Sequence, residues 1–120
     1  MARRQRVTSS AYPFLTIQIA LRGQNSGASA LIDTGFTGDL VIPTRALNDT
    51  VGLPDARIDW QLADGSVVDA PVYLGTIEVV GIPPIAVAIT TLGNEYILGR
   101  GVIDRYRVTF DRGQRIIVEE

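Results

Sequence analysis

Asp33, Thr34 and Gly35, delivered by the apolar run Ala30-Leu31-Ile32, are the residues of this chain whose types and order suit chemistry. An apolar strand fixes a carboxylate on a rigid element. A threonine hydroxyl can hold the loop by hydrogen bonding, and a glycine lets another backbone approach closely. A carboxylate so placed can act as a general base or, when protonated, as a general acid. The same residue types are good turn formers, so the triplet by itself also describes an ordinary strand end. Composition narrows the chemistry further. The chain has no histidine and no cysteine. That excludes a Ser-His-Asp triad, thiolate nucleophiles, disulfides and every zinc or iron site built on those ligands. Carboxylates, hydroxyls, basic side chains, backbone and a carboxylate-bound metal remain. Asp64 and Asp69 are the acids available to hold a cation with Asp33, but hard cations usually gather several clustered oxygens. No metal and no other cofactor is expected.

The elements that must position these residues are short. The chain has 120 residues, 46% hydrophobic and 20% charged, with a net charge of −2. That is one domain, residues 1–120, with a modest core. It is apolar for its size, which suggests that some apolar surface is buried between subunits. The small net charge supplies no field that would favour nucleic acid or a membrane surface. After a basic start, Val7 to Pro13 is too polar for a signal-peptide core, and no apolar run is long enough to span a bilayer. A cytoplasmic location is the expectation.

Short apolar runs punctuated by Gly, Pro, Asn and Asp predict an all-β barrel or sandwich. Strands are expected over Phe14–Leu21, Ala28–Ile32, Asp39–Ile42, Arg57–Leu62, Val67–Leu74, Thr76–Val80 and Ile85–Thr91, with Tyr96-Ile97-Leu98 following. Gly23–Gly27 reads as a turn, and Thr44–Asn48 as one helical turn capped by Thr44. Asp64-Gly65 between two β-prone runs predicts a hairpin. Val102, Ile103 and Tyr106 lie at helical spacing, which predicts the one substantial helix over Gly101–Tyr106. A last hairpin is expected around Asp111-Arg112-Gly113. Arg105 and Arg107 flank Tyr106, a pattern that can bind nucleic acid, but Asp104 and Asp111 bracket it and favour a solvated junction.

Taken together, Ala30-Leu-Ile-Asp-Thr-Gly35, the Asp64-Gly65 hairpin and Ile97-Leu-Gly-Arg100 before a short helix resemble the retropepsin-like aspartic proteases, in the family's order. The resemblance runs from about Phe14 to Val118. The stretch Ile97 to Asp111 is similar to the microbial cytosolic branch. The resemblance implies a closed β-barrel with one short C-terminal helix, acting as half of a pepsin-like dimer. It implies that Asp33 is the catalytic carboxylate of an endopeptidase. Thr34 would make interlocking contacts between two active-site loops, and Gly35 would line the substrate cleft. Asp64, Gly65 and Ser66 would form the tip of a flap over a bound peptide. Leu98 and Gly99 would pack beneath the catalytic loop, and Arg100 would open the helix in a structural role. Phe36 stands where retroviral enzymes carry a small residue, and would narrow the cleft. Thr37 and Gly38 replace acidic residues that normally pair with the post-glycine arginine, leaving Asp39 or Asp104 as its partner.

The aspartic protease mechanism uses two carboxylates about 3 Å apart that share one proton. This chain has one Asp-Thr-Gly, so the physical inference is a symmetric homodimer with Asp33 from each subunit at the two-fold axis. Residues 1–11 would be a flexible or dimer-interface strand. Arg3, Arg4 and Arg6 at one end and Glu119 and Glu120 at the other would suit an intersubunit sheet, with Ile116, Ile117 and Val118 contributing more than the charges. Trp60, before the flap, is expected to pack at its base, with substrate contact as the second reading. The expected partners are a second copy of the chain and a peptide or protein substrate. The alternative is a non-catalytic binding or assembly module that keeps the same fold, a reading favoured by Phe36.

Overall fold

Residues 5–48 and 51–120 are described by a computed structural model. Arg3, Arg4 and the Asp49-Thr50 pair lie outside the described residues. Alternation at period two builds the first long strand, β2 (Phe14–Leu21). Leu15, Ile17, Ile19 and Leu21 point inward and are buried, while Phe14, Thr16 and Gln18 face out. This is the pattern of a strand with one face on the core. A two-residue turn at Arg22 and Gly23, both at positive φ, returns the chain into β3 (Gln24–Ile32), so that Leu21 faces Gln24. The polar run Gln24–Gly27, read from sequence as a turn, is therefore strand. Its side chains are polar because they lie on the outer part of the hairpin, and only Gly23 was needed for the bend.

The remaining elements are β4 (Leu40–Ile42), a 3₁₀ turn (Thr44–Ala46), β5 (Ala56–Gln61), β6 (Val67–Val79), β7 (Ile85–Thr91), β8 (Ile97–Leu98), α1 (Arg100–Ile103), β9 (Arg107–Asp111) and β10 (Arg115–Glu119), preceded by β1 (Arg6–Ser9). Strands run in the order β2-β3-β8-β4-β7-β6, and β6 pairs back onto β2, closing a six-stranded barrel. Inside it lie Ile17, Ala30, Leu40, Ile77, Val79, Ile89 and Leu98, each at most 1% exposed. The 3₁₀ turn is preceded by Pro43 and has no side-chain cap, so Thr44 does not cap it. Pro43 already sets the entry angle, and its ring supplies no N–H.

The two runs expected on either side of Gly75 form a single strand, β6, of 13 residues. Gly75 is there because of a close approach: a Cβ would lie 2.6 Å from the Ala20 carbonyl oxygen and 2.8 Å from Ile89 Cδ1. β6 is shared between two structures. From Val72 to Ile77 it pairs with β7 in the barrel wall, whereas Val67 to Pro71 pair only with β5. The β5–β6 hairpin thus projects from the barrel beyond Val72.

The helix is shorter than its spacing predicts, Arg100–Ile103 rather than Gly101–Tyr106. The N–H groups of Arg105 and Tyr106 donate to Val102 and Ile103 carbonyls three residues back, so the chain leaves as tight turns and enters β9 at once. Val102 is buried, and Ile103 and Tyr106 pack on the core. Burial pushes the Tyr106 phenol pKa up, and its hydroxyl has no partner among the described residues. A ring so placed is not offered for stacking.

β1, β10 and β9 make a second, three-stranded sheet. The ends of the chain meet within one subunit, with Arg6 opposite Glu119. β10 has neighbours on both edges, and Ile116, Ile117 and Val118 are buried in their own chain. The apolar residues expected to join a second chain are used here instead, because β10 is the central strand and has no free edge.

Candidate functional site

Asp33 follows the last residue of β3, and its position is set by a crossing of strands. Leu31 and Ile32 pair in parallel with Ile97 and Leu98 of β8, whose other edge pairs antiparallel with β4. The Asp33 N–H donates to the Leu98 carbonyl at 2.9 Å. The loop that follows is held by the chain leaving β8. The Gly99 N–H donates to Asp39 O at 2.9 Å, Arg100 N–H to Phe36 O at 2.7 Å, and Gly101 N–H to Gly38 O at 3.0 Å. Within the loop, the Gly35 N–H donates to Asp33 Oδ1 at 2.8 Å. The carboxylate is thus oriented by backbone, half-buried, and in no ion pair among the described residues.

Leu98 and Gly99 lie buried against this loop. Gly99 has no room for a side chain: a Cβ would run into Gly38 O and the Phe36 ring, and would lie 2.7 Å from Phe36 O. Thr34 and Gly35 are exposed, and the Thr34 hydroxyl has no hydrogen-bond partner among the described residues. Arg100 pairs with Asp104 at 3.4 Å, while Asp39 Oδ2 accepts the Ala88 N–H at 2.8 Å. Of the two carboxylates proposed for Arg100, Asp104 is the one that meets it.

The Phe36 ring folds back over Gly38 and Gly99 and meets the Trp60 indole, with centroids 5.0 Å apart and planes at 58°. It therefore forms a wall rather than a plug. A cleft of about 480 Å³ remains open, lined by Asp33, Phe36, Trp60, Gln61 and Leu62, and also by Val41, Ile97 and the 92–95 loop. Truncating the ring in Phe36→Ala is expected to cost about 2 kcal/mol, from lost burial and lost aromatic contact. Urea unfolding checks the loss, and Trp60 emission should shift to the red as water reaches the indole.

The predicted hairpin is present, with Gly65 at positive φ. Asp64 Oδ1 accepts both the Ser66 hydroxyl, at 2.6 Å, and the Ser66 N–H, at 2.9 Å. These bonds hold the Asp64 carboxyl below the usual carboxylate range. Asp64 serves its own turn, and Asp69 pairs with Arg57 on the neighbouring strand. The tip residues Asp64, Gly65 and Ser66 do not line the cleft; the end of β5 and the following Leu62 do. No group of three or more acidic side chains is placed to hold a metal ion among the described residues.

The base of the hairpin is latched by a residue that sequence reading missed. Arg22, at the β2–β3 turn, donates to Val51 O at 2.9 Å and to Leu53 O, pairs with Asp55 at 3.0 Å, and lies over the Tyr73 ring. Asp55 precedes β5, and its Oδ2 accepts the Leu74 N–H at 2.9 Å. That hydrogen bond first, and Arg22 second, hold the Asp55 carboxyl below its ordinary 3.8, against the opposing effect of desolvation. A depressed carboxyl pKa stabilises the fold above the unfolded-state value and loses that contribution as pH falls through the folded one. The latch should hold at neutral and mildly acidic pH and release only as pH falls through the lowered value of the folded state. Hydrogen exchange at the Leu74 amide checks this, and Arg22→Ala should speed exchange across Ala56–Val72 at neutral pH.

The 92–95 loop was also missed, although it immediately precedes the Ile97-Leu98 pair that lies beside Asp33. No protein-family model matches the chain, and no curated protein matches it in sequence. Among solved structures, it is similar to a retropepsin-like aspartic protease from Rickettsia conorii, with a TM-score of 0.65 over 99% of this chain and 94% of that one, at 12% identity. The chain has the retropepsin-like fold. No helix among the described residues is long and apolar enough to cross a membrane.

Proposed function

We propose that residues 1–120 form one aspartic protease domain that hydrolyses peptide bonds as a homodimer, with one Asp33 from each subunit. The observation that carries this reading is Asp33 itself. It directly follows a core strand, is oriented by the Gly35 and Leu98 backbone, and lines a largely apolar cleft. The likeness in fold to a protease supports the same reading.

In this mechanism two like charges at close range cannot both ionise, so the pair keeps one proton. The ionised carboxylate takes a proton from a water, and the protonated one donates to the scissile carbonyl oxygen. The shared proton belongs to the pair rather than to either residue. Thr34, exposed and with no side-chain hydrogen bond among the described residues, would reach the partner's loop. Gly35 would border the substrate backbone, and the hairpin tipped by Asp64, Gly65 and Ser66 would close over it. Arg100, paired with Asp104, and buried Leu98 and Gly99 support the loop without touching substrate. The reaction needs no cofactor, and a cytoplasmic site of action suits it.

The non-catalytic alternative drew on Phe36. The ring lies along Gly38 and Gly99 and leaves the cleft open, which favours catalysis. The purified chain should cleave peptides at apolar sites and be blocked by a statine-type inhibitor. Cleavage retained in Asp33→Ala would end the assignment.

A further inference from the structure

The cleft that Asp33 faces carries a second carboxylate, Glu95, in the loop between β7 and β8. The loop is fixed on both sides of it. Thr44 N–H donates to Gly93 O at 3.3 Å and Arg45 Nη1 to Asn94 O at 2.9 Å, while Tyr96 O accepts the Leu31 N–H at 2.9 Å. The backbone on both sides of Glu95 is therefore fixed, and the residue lines the cleft from a tethered loop. No basic side chain pairs with it among the described residues: every ion pair there uses an aspartate. No arginine lines the cleft, and the chain has no lysine or histidine. The cleft is also lined by Phe36, Trp60 and Leu62. Apolar walls around charges of one sign focus the field on whatever enters.

We infer that Glu95 is a specificity-determining residue that selects a peptide carrying arginine or lysine beside the apolar side chain seated on Phe36 and Trp60. This rests on the protease reading. The bland alternative is a solvated glutamate indifferent to the ligand, and the two differ in a measurable way.

The test uses the full chain carrying Asp33→Asn, which binds without cutting and leaves Glu95 as the one acid of the cleft. Trp60, the chain's single tryptophan, reports binding through its emission. Three peptides differ at one position only: arginine, its neutral isostere citrulline, or glutamate. The arginine peptide should bind about fivefold tighter than the citrulline peptide at low salt, the upper range for an exposed charge pair, with the gap narrowing at high salt. Adding Glu95→Gln should remove the gap, and Glu95→Arg should turn the preference toward glutamate. In the active enzyme the same substitutions should move KM more than kcat. Equal binding of arginine and citrulline peptides, or a gap that survives Glu95→Gln, overturns the role of Glu95. Failure of all three peptides to bind, checked by calorimetry, overturns the protease reading and this inference with it.

Discussion

Asp33→Asn should lower kcat on a peptide substrate by about 10⁴-fold while leaving the fold in place. The asparagine side-chain oxygen can still accept the Gly35 N–H, and the backbone bond from residue 33 to Leu98 is untouched. Asp33 enters no ion pair among the described residues, so no buried charge is left without a partner. What disappears is the ability to hold and release a proton. The unfolding temperature should therefore stay within about 3 °C of the parent. Initial rates on a chromogenic peptide together with a thermal melt give both results. A melt lowered far beyond that margin would mean that the loop itself depends on the charge.

Gly99→Ala should cost about 3 kcal/mol of stability. The new Cβ meets backbone on two sides, Gly38 O and Phe36 O, and the Phe36 ring on a third. None of these is the free end of a flexible side chain. Relief requires moving the loop that carries Asp33, so activity should fall with stability. Gly27→Ala is the control. Its methyl meets only the end of the Gln18 side chain, 3.0 Å away and able to turn aside, so the cost should stay under about 1 kcal/mol. Urea unfolding of the two variants separates a crowded loop from a general intolerance of alanine.

Much of the fold is legible in the sequence because one face of each strand is buried. β2 follows strict alternation, and its ends agree with those expected for Phe14–Leu21. The hairpin around Asp64-Gly65 is equally readable, since a turn that needs positive φ names its own glycine. The errors have a common origin. Gln24–Gly27 looks like a turn, and Gly75 looks like a break, because local composition carries no record of what lies across the sheet. Gly75 is kept small by Ala20 and Ile89, residues distant in sequence. The single short helix is overestimated for a related reason: Val102, Ile103 and Tyr106 reach the core from tight turns as well as from a helix.

The candidate site divides in the same way. Asp33 is singled out by its motif, and Leu98 and Gly99 only by the family resemblance; the structure sets both against the loop that begins at Asp33. Arg22, Asp55 and the 92–95 loop are not found, because each acts through partners chosen by the barrel's closure. Phe36 reads as an obstruction in the linear sequence. In three dimensions the glycines at 38 and 99 give its ring a bed, and it meets the Trp60 indole at a tilt instead.

Whether two chains share one active centre is tested most directly by mixing. Wild-type protein and Asp33→Asn protein, unfolded together and refolded in equal amounts at constant total concentration, form a statistical population of dimers. If each centre needs an Asp33 from both chains, activity falls to about a quarter of the wild-type value, following the square of the wild-type fraction. A fall to about half, linear in that fraction, would mean that each chain works alone and would contradict the shared carboxylate pair.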